Sequence, residues 1–254
     1  MSECIYTEEF KLRYREVDRG GFIKTSSWFD FMQEAAAEHA TRLGAGYDVL
    51  TAKGCFWVLS SLHLEVLRRA RIGETLTLTT WPGVFRRLYA LRHFSFIDSE
   101  GAEIARASSQ WMILSLGNGR PQRTEAVVPG IPDNRERPVY FDFGAKIPAA
   151  AEAEEPMIVP IRYSMEDVNG HLNNAGYVGI AQDWLDRRFD ASCGLREIEI
   201  AFHSAVRAPE SLAVSGEESA PGVWLVAGRR SDGSLSFAAR LKTEEPRSLQ
   251  VERP

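Results

Sequence analysis

Cysteine is nearly missing from this chain. Its 254 residues hold three, Cys4, Cys55 and Cys193, too widely spaced and odd in number for a disulfide framework or a metal-ligand spacing. No metal and no cofactor are expected from that pattern. No uninterrupted apolar run approaches the roughly 20 residues that a membrane helix needs, so no membrane span is expected either. A basic surplus is lacking as well. The net charge is −5, whereas nucleic-acid binders carry a strongly basic balance, and no nucleic-acid partner is expected. The opening residues, with Glu3, Glu8, Glu9 and Lys11, show neither the apolar run of a signal peptide nor the acid-poor character of a transit peptide. The expectation is a soluble, cytoplasmic protein. A Gly-rich phosphate loop, a Ser-centred elbow and a Cys/His nucleophile pair are all absent from the sequence.

What is present is a repeat. Hydrophobic content of 44% and charged content of 26% are ordinary for a globular protein, and the length admits one large domain or two small ones. The stretch Val17-Asp18-Arg19-Gly20-Gly21-Phe22-Ile23 and the stretch Glu166-Asp167-Val168-Asn169-Gly170-His171-Leu172 both follow an alternating strand and open a helical pattern. Asp18 aligns with Asp167, Gly21 with Gly170, Ile23 with Leu172 and Trp28 with Tyr177 without a gap. Further echoes follow in the same order: Arg71-Ile72-Gly73-Glu74 with Arg207-Ala208-Pro209-Glu210, Pro82-Gly83-Val84 with Pro221-Gly222-Val223, and the turn at Asp98-Ser99-Glu100-Gly101 with Ser231-Asp232-Gly233.

Each half reads as strand, helix, then four strands, an α+β class. In the first, Trp28, Phe31, Met32, Ala35, Ala36, His39 and Leu43 form one apolar helix face, closed by Gly44. In the second, Tyr177, Ile180, Ala181, Trp184 and Leu185 do the same. Strand-like runs follow at about 55–68, 74–82, 86–97 and 103–115, then at 195–205, 211–217, 223–229 and 234–242. One long helix covering an antiparallel sheet in each unit satisfies the need to bury a half-apolar sheet face. The expected division is 1–116, a proline-rich crossover linker over 117–156, and 157–254.

The strongest local signal is Asp167-Val168-Asn169-Gly170-His171-Leu172-Asn173-Asn174-Ala175-Gly176-Tyr177. Asp167, Asn169 and His171 fall at i, i+2 and i+4, so in an extended segment their side chains share one side. Asn173 or Asn174 can cap the helix that follows. A helix N-terminus beside a carboxylate, an amide and an imidazole suits an anion or a developing oxyanion. The bland reading is a polar turn before a capped helix. Against it, the first half keeps Asp18 but has Gly20 for the Asn and Phe22 for the His, so the turn alone does not require the polar set.

The string Asp-x-Asn-Gly-His-x-Asn-Asn-x-x-Tyr resembles the active-site segment of the plant and bacterial acyl-acyl-carrier-protein thioesterases. The likeness runs from about Tyr6 to Thr243 and includes the Tyr14-Arg15-Glu16-Val17-Asp18 opening. It implies a double hot-dog fold, with the first half shaping an acyl pocket and the second carrying catalysis. It implies Asp167, Asn169 and His171 as catalytic residues, with Asn173, Asn174, Tyr177, Trp28 and Trp57 as substrate-binding candidates. The implied substrate is a fatty acyl thioester of acyl carrier protein, with acyl-CoA as the alternative. The pattern departs at two places. Ala205 stands where the family carries a further catalytic acid, leaving His203 or Glu199 as substitutes, and Met165 replaces another Asp. The segment leaves open whether the carboxylate attacks directly or a base activates water.

The arginines at Arg68-Arg69-Ala70-Arg71, Arg86-Arg87 and Arg92 could steer an acidic carrier protein or serve as solvated strand ends. Trp28, Phe31, Trp57, Trp81 and Trp111 could line an acyl tunnel or be plain core. Enoyl-thioester hydratases share the fold but show Asp-x-Asn-Pro-x-His, with a longer gap and a proline. A non-catalytic acyl-binding protein is the reading from a different class. One chain supplies two units, so a monomer or a homodimer is expected.

Overall fold

Alternating burial along Tyr6–Lys11 makes the first strand, β1, with Tyr6 on the buried side and Glu9 and Lys11 exposed. The computed structural model describes residues 4–188 and 194–244; Cys193 lies outside the described residues. The chain divides into two compact units, Met1–Lys146 and Ile147–Pro254.

In the first unit β1 is followed by α1 (Thr25–Arg42), a short α2 (Tyr47–Ala52), β2 (Cys55–Val66), β3 (Thr75–Arg86), β4 (Tyr89–Asp98) and β5 (Glu103–Ser115). A two-residue β6 (Pro121–Gln122) and the turn-length α3 (Thr124–Val127) close it. The strands lie in the order β1-β3-β4-β5-β2, each neighbour antiparallel, and β6 adds to β5. The apolar stripe of α1 faces this sheet: Trp28 meets Phe96 edge-on at 4.7 Å between ring centroids, and Phe31 stacks on Phe10 at 3.8 Å. Gly44 ends the helix at φ +68, its N–H bonded to Thr41 O at 3.0 Å. A left-handed residue there favours glycine because L side chains rarely adopt that backbone conformation, although a Cβ would meet open space. Among the expected aromatics, Trp28 and Trp81 are buried. Trp57 is half-buried, and its indole N–H donates to Ala45 O at 2.9 Å.

Two cation-forming side chains of β4 enter the interior. Arg92 Nη1 meets His39 Nδ1 at 3.1 Å and Thr80 Oγ1 at 3.2 Å, and burial lowers its pKa to about 10. His93, on the opposite sheet face, places Nδ1 2.7 Å from Ser108 Oγ. Burial first, and the Arg92 charge second, push its pKa down to about 4. That face is covered by the chain after α3. Asn134 Nδ2 donates to Cys4 O and Pro82 O at 2.9 Å each, and the Phe141 ring stacks on His63 at 3.7 Å.

The second unit repeats the wiring. It runs β7 (Met157–Pro160), α4 (Asn174–Asp186), β8 (Leu195–Phe202), β9 (Ser211–Ala220), β10 (Val223–Arg229) and β11 (Leu235–Thr243). The antiparallel order is β7-β9-β10-β11-β8, the same path as in the first unit. Every apolar position expected on the second helix is buried. The stretch read as a crossover linker is shared out: Asn134 to Asp142 pack on the first unit, while Ala150 and Ala153 bond to Arg229 and Ser215 of the second.

One sequence echo is not structural. Pro221-Gly222 makes the β9–β10 turn, but Pro82-Gly83 lies inside β3, where an irregularity between Pro82 and Phe85 lets the strand run on to Arg86.

Candidate active site

The second-unit motif folds as a closed turn rather than an extended segment. Asp167 N–H donates to His171 O at 2.9 Å, and Gly170 N–H donates to Asp167 O at 3.0 Å. Asp167 Oδ1 accepts the Asn169 N–H at 2.8 Å, and Asn169 Nδ2 reaches Oδ2 at 3.4 Å. An aspartate that bonds its own backbone two residues on nucleates this turn, and Gly170 completes it at φ +71. Strand alternation therefore does not set the directions of these side chains. Asp167, Asn169 and His171 come together through the turn, within five residues, with Asp167 and His171 half-buried and Asn169 exposed. The His171 ring has no hydrogen-bond partner among the described residues.

Asn173 is the cap of α4, its side-chain oxygen accepting the Ala175 N–H at 2.8 Å. The Asn173 N–H goes to Met165 O and the Gly176 N–H to Asn173 O. These donors of the first turn are thus engaged locally, which leaves Asn169 Nδ2 and the His171 ring as the groups suited to a developing oxyanion. Asn174 is the first helical residue. Tyr177, one turn on, is buried, and its hydroxyl accepts the Val206 N–H at 3.1 Å. Burial pushes the Tyr177 pKa up, and the Asp167 charge adds to the rise. Tyr177 thereby pins the segment 203–208 beside the turn, where Leu172 N–H also donates to Val206 O at 2.8 Å.

Ala205 lies in that segment and is exposed. Glu199, one candidate substitute, is buried and ion-paired to Arg240 at 2.6 Å. His203 is exposed, its backbone N–H bonded to Ser236 O at 2.8 Å.

The first unit holds the same turn with different side chains. Asp18 N–H donates to Phe22 O at 2.7 Å, Gly21 N–H to Asp18 O at 3.0 Å, and Gly21 sits at φ +74. Ile23 N–H donates to Ala70 O, as Leu172 does to Val206 O. Counting back one residue from Ala70 and Val206 puts Arg69 opposite Ala205. Arg69 Nη2 holds Asp18 Oδ2 at 2.5 Å, while Arg69 and Arg71 lie over the Phe22 ring at 4.3 and 4.4 Å. The first-unit aspartate is clamped. Asp167 carries no ion pair among the described residues, because the residue opposite it is alanine.

Two further arginines of the basic runs are also tied down, while Arg87 is exposed and carries no ion pair among the described residues. Arg68 pairs with Glu74 at 2.8 Å and Asp98 at 3.0 Å, and Arg86 with Asp142 at 2.5 Å. These ion pairs serve the fold of the first unit.

A family model described as the acyl-ACP thioesterase N-terminal domain matches residues 3–129, and one described as the acyl-ACP thioesterase C-terminal domain matches 149–245. Oleoyl-acyl carrier protein thioesterase 1, chloroplastic, of Arabidopsis thaliana is 25% identical over 199 residues, covering 68% of this chain and 53% of its own length. Acyl-[acyl-carrier-protein] hydrolase FATB2, chloroplastic, of Cuphea viscosissima is 27% identical over 197 residues, covering 69% and 46%. The chain spans about half the length of these curated relatives. Among solved structures, an acyl-ACP thioesterase from Bacteroides thetaiotaomicron VPI-5482 superposes with a TM-score of 0.86 at 23% identity, covering 96% of this chain and 100% of that one. The 12:0-ACP thioesterase from Umbellularia californica gives 0.83 at 20% identity, covering 95% and 97%. This likeness carries the α+β double hot-dog fold.

Proposed function

The chain belongs to the acyl-ACP thioesterase family, and from that membership we propose that it hydrolyses fatty acyl thioesters of acyl carrier protein, giving a free fatty acid and the holo-carrier. The observation that carries the reading is the asymmetry between two otherwise matching turns. The first is closed by Arg69, whereas in the second, among the described residues, the Asp167 carboxylate has no ion pair and the His171 imidazole no hydrogen bond.

A thioester carbonyl needs a nucleophile, a route for its proton and a donor for the oxyanion. Water activated by Asp167 or His171 adds to the carbonyl carbon. Asn169 Nδ2 donates to the oxygen as it gains charge, and the C–S bond breaks as a proton reaches the departing sulfur. Attack by the Asp167 carboxylate itself would form an anhydride that water then cleaves. Ala205 removes one carboxylate from the family's arrangement, so Asp167 and His171 carry the proton traffic between them. Tyr177 supports the site from beneath by holding Val206, and the interior of the first unit, with Trp28 and Trp57, is the proposed acyl pocket.

The test is thiol release from carrier-linked acyl chains of graded length, run in parallel with the matching acyl-CoA series. Asp167→Ala and His171→Ala should each lower kcat about 100-fold or more, and Asp167→Asn, which keeps an oxygen for the Asn169 N–H, should do so while the melting temperature holds. Full activity in both alanine variants overturns the site. Tight acyl binding without thiol release favours the acyl-binding reading, which the alanine at 205 makes the relevant rival.

A further inference from the structure

We propose that the rim of the second-unit turn, formed by Arg162, Tyr163, Val168 and Arg207, is the docking surface for the acidic carrier protein that presents the thioester. The inference rests on the hydrolase reading above and adds the place where the partner lands.

The four residues are neighbours. Ile161 N–H donates to Glu210 O at 2.8 Å, and Ala208 N–H donates to Glu166 Oε1 at 2.7 Å. The stretch 161–168 therefore runs beside 207–210. Tyr163 is 86% and Val168 78% exposed, a large apolar exposure for residues at the lip of a polar site. The first-unit counterpart Tyr14 is equally open, so the tyrosine alone does not distinguish the two rims.

The cations do. In the first unit Arg13 is forked onto Glu16 through Nε and Nη2 at 3.1 and 2.9 Å, and Arg71 lies over Phe22. In the second unit Met165 replaces that glutamate, and Arg162 is exposed with no ion pair among the described residues. Arg207 is 69% exposed and reaches Glu210 only at 3.7 Å, a carboxylate that Arg230 already holds at 2.8 Å. Two outward cations flank two outward apolar side chains around the candidate catalytic turn. An unpaired cation and a second one that shares its carboxylate, both exposed at a rim, attract an acidic partner and set its orientation. In the basic runs of the first unit carboxylates hold Arg68, Arg69 and Arg86, and Arg71 lies over Phe22, which leaves Arg87 exposed without an ion pair among the described residues of those runs.

The experiment measures binding of a labelled holo acyl carrier protein to the full chain by anisotropy. The second readout is the ratio of turnover on carrier-linked and N-acetylcysteamine-linked acyl groups. Combining Arg162→Glu with Arg207→Glu should weaken binding about tenfold or more and lower the ratio to match, with the loss shrinking at high salt. Tyr163→Ser should weaken binding without salt dependence, and Arg87→Glu should bind as the wild type does. Unchanged binding in the double reversal, an equal loss in Arg87→Glu, or no carrier binding by the wild type overturns the docking surface. Wild-type binding without thiol release sinks the hydrolase reading and leaves the docking surface to be judged by the charge reversals alone.

Discussion

At position 205 an alanine faces the turn that Arg69 closes in the first unit. If the unpaired state of Asp167 matters to chemistry, restoring the clamp should abolish it. Ala205→Arg is expected to capture Asp167 as Arg69 captures Asp18, dropping kcat/KM about 100-fold with no loss of thermal stability. Retained activity would show that the reaction does not use a free carboxylate there. The candidate trio was legible in the sequence because its members lie within five residues and an internal copy showed which of them the turn does not need. The clamp was not legible: Arg69 and Asp18 are 51 residues apart, and no local pattern joins them. The extended geometry was a misreading for a local reason. An aspartate two residues ahead of an Asn-Gly pair closes on itself, which the residue spacing alone does not reveal.

Among elements, α4 depends on its start. Asn173 accepts the Ala175 N–H on its side-chain oxygen and donates its own N–H to Met165 O, so it joins helix and turn. Asn173→Ala should cost about 1 kcal/mol of stability, read from urea unfolding, and should lower kcat as well because His171 is fixed two residues before it. A stability loss with kcat unchanged would mean that the turn keeps its shape without the cap. Helices and strands were readable from apolar periodicity because the stripe of α1 and the stripe of α4 each face one sheet. The Pro82 echo misled because a proline-glycine pair can end a strand or sit at an irregularity within one, and only pairing across β3 and β4 decides between them. The short α2 and α3 carry too few residues for a period to show.

On the scale of the whole molecule, acid stability should follow a buried histidine. His93 holds a folded pKa of about 4 against an ordinary value of 6.5. Between these values the unfolded chain binds a proton that the folded chain excludes, so stability falls as pH drops through that window, by up to roughly 3 kcal/mol. His93→Gln should flatten this limb of a plot of unfolding free energy against pH. An unaltered slope would show that groups other than His93 set it. The duplicated path of strands was foreshadowed by the ordered echoes in sequence, but the way the intervening chain covers the sheet face over His93 was not, since a segment without a period leaves no mark of what it lies on. The locked turn at Asp18 has a further implication. Under the proposed function the first copy is relieved of chemistry and open to variation: side chains around Trp28 and Phe96 could be exchanged to admit longer, shorter or bent hydrocarbon tails while the reacting atoms proposed for the later copy stay where they are. Preference and reactivity can then diversify separately within a single polypeptide.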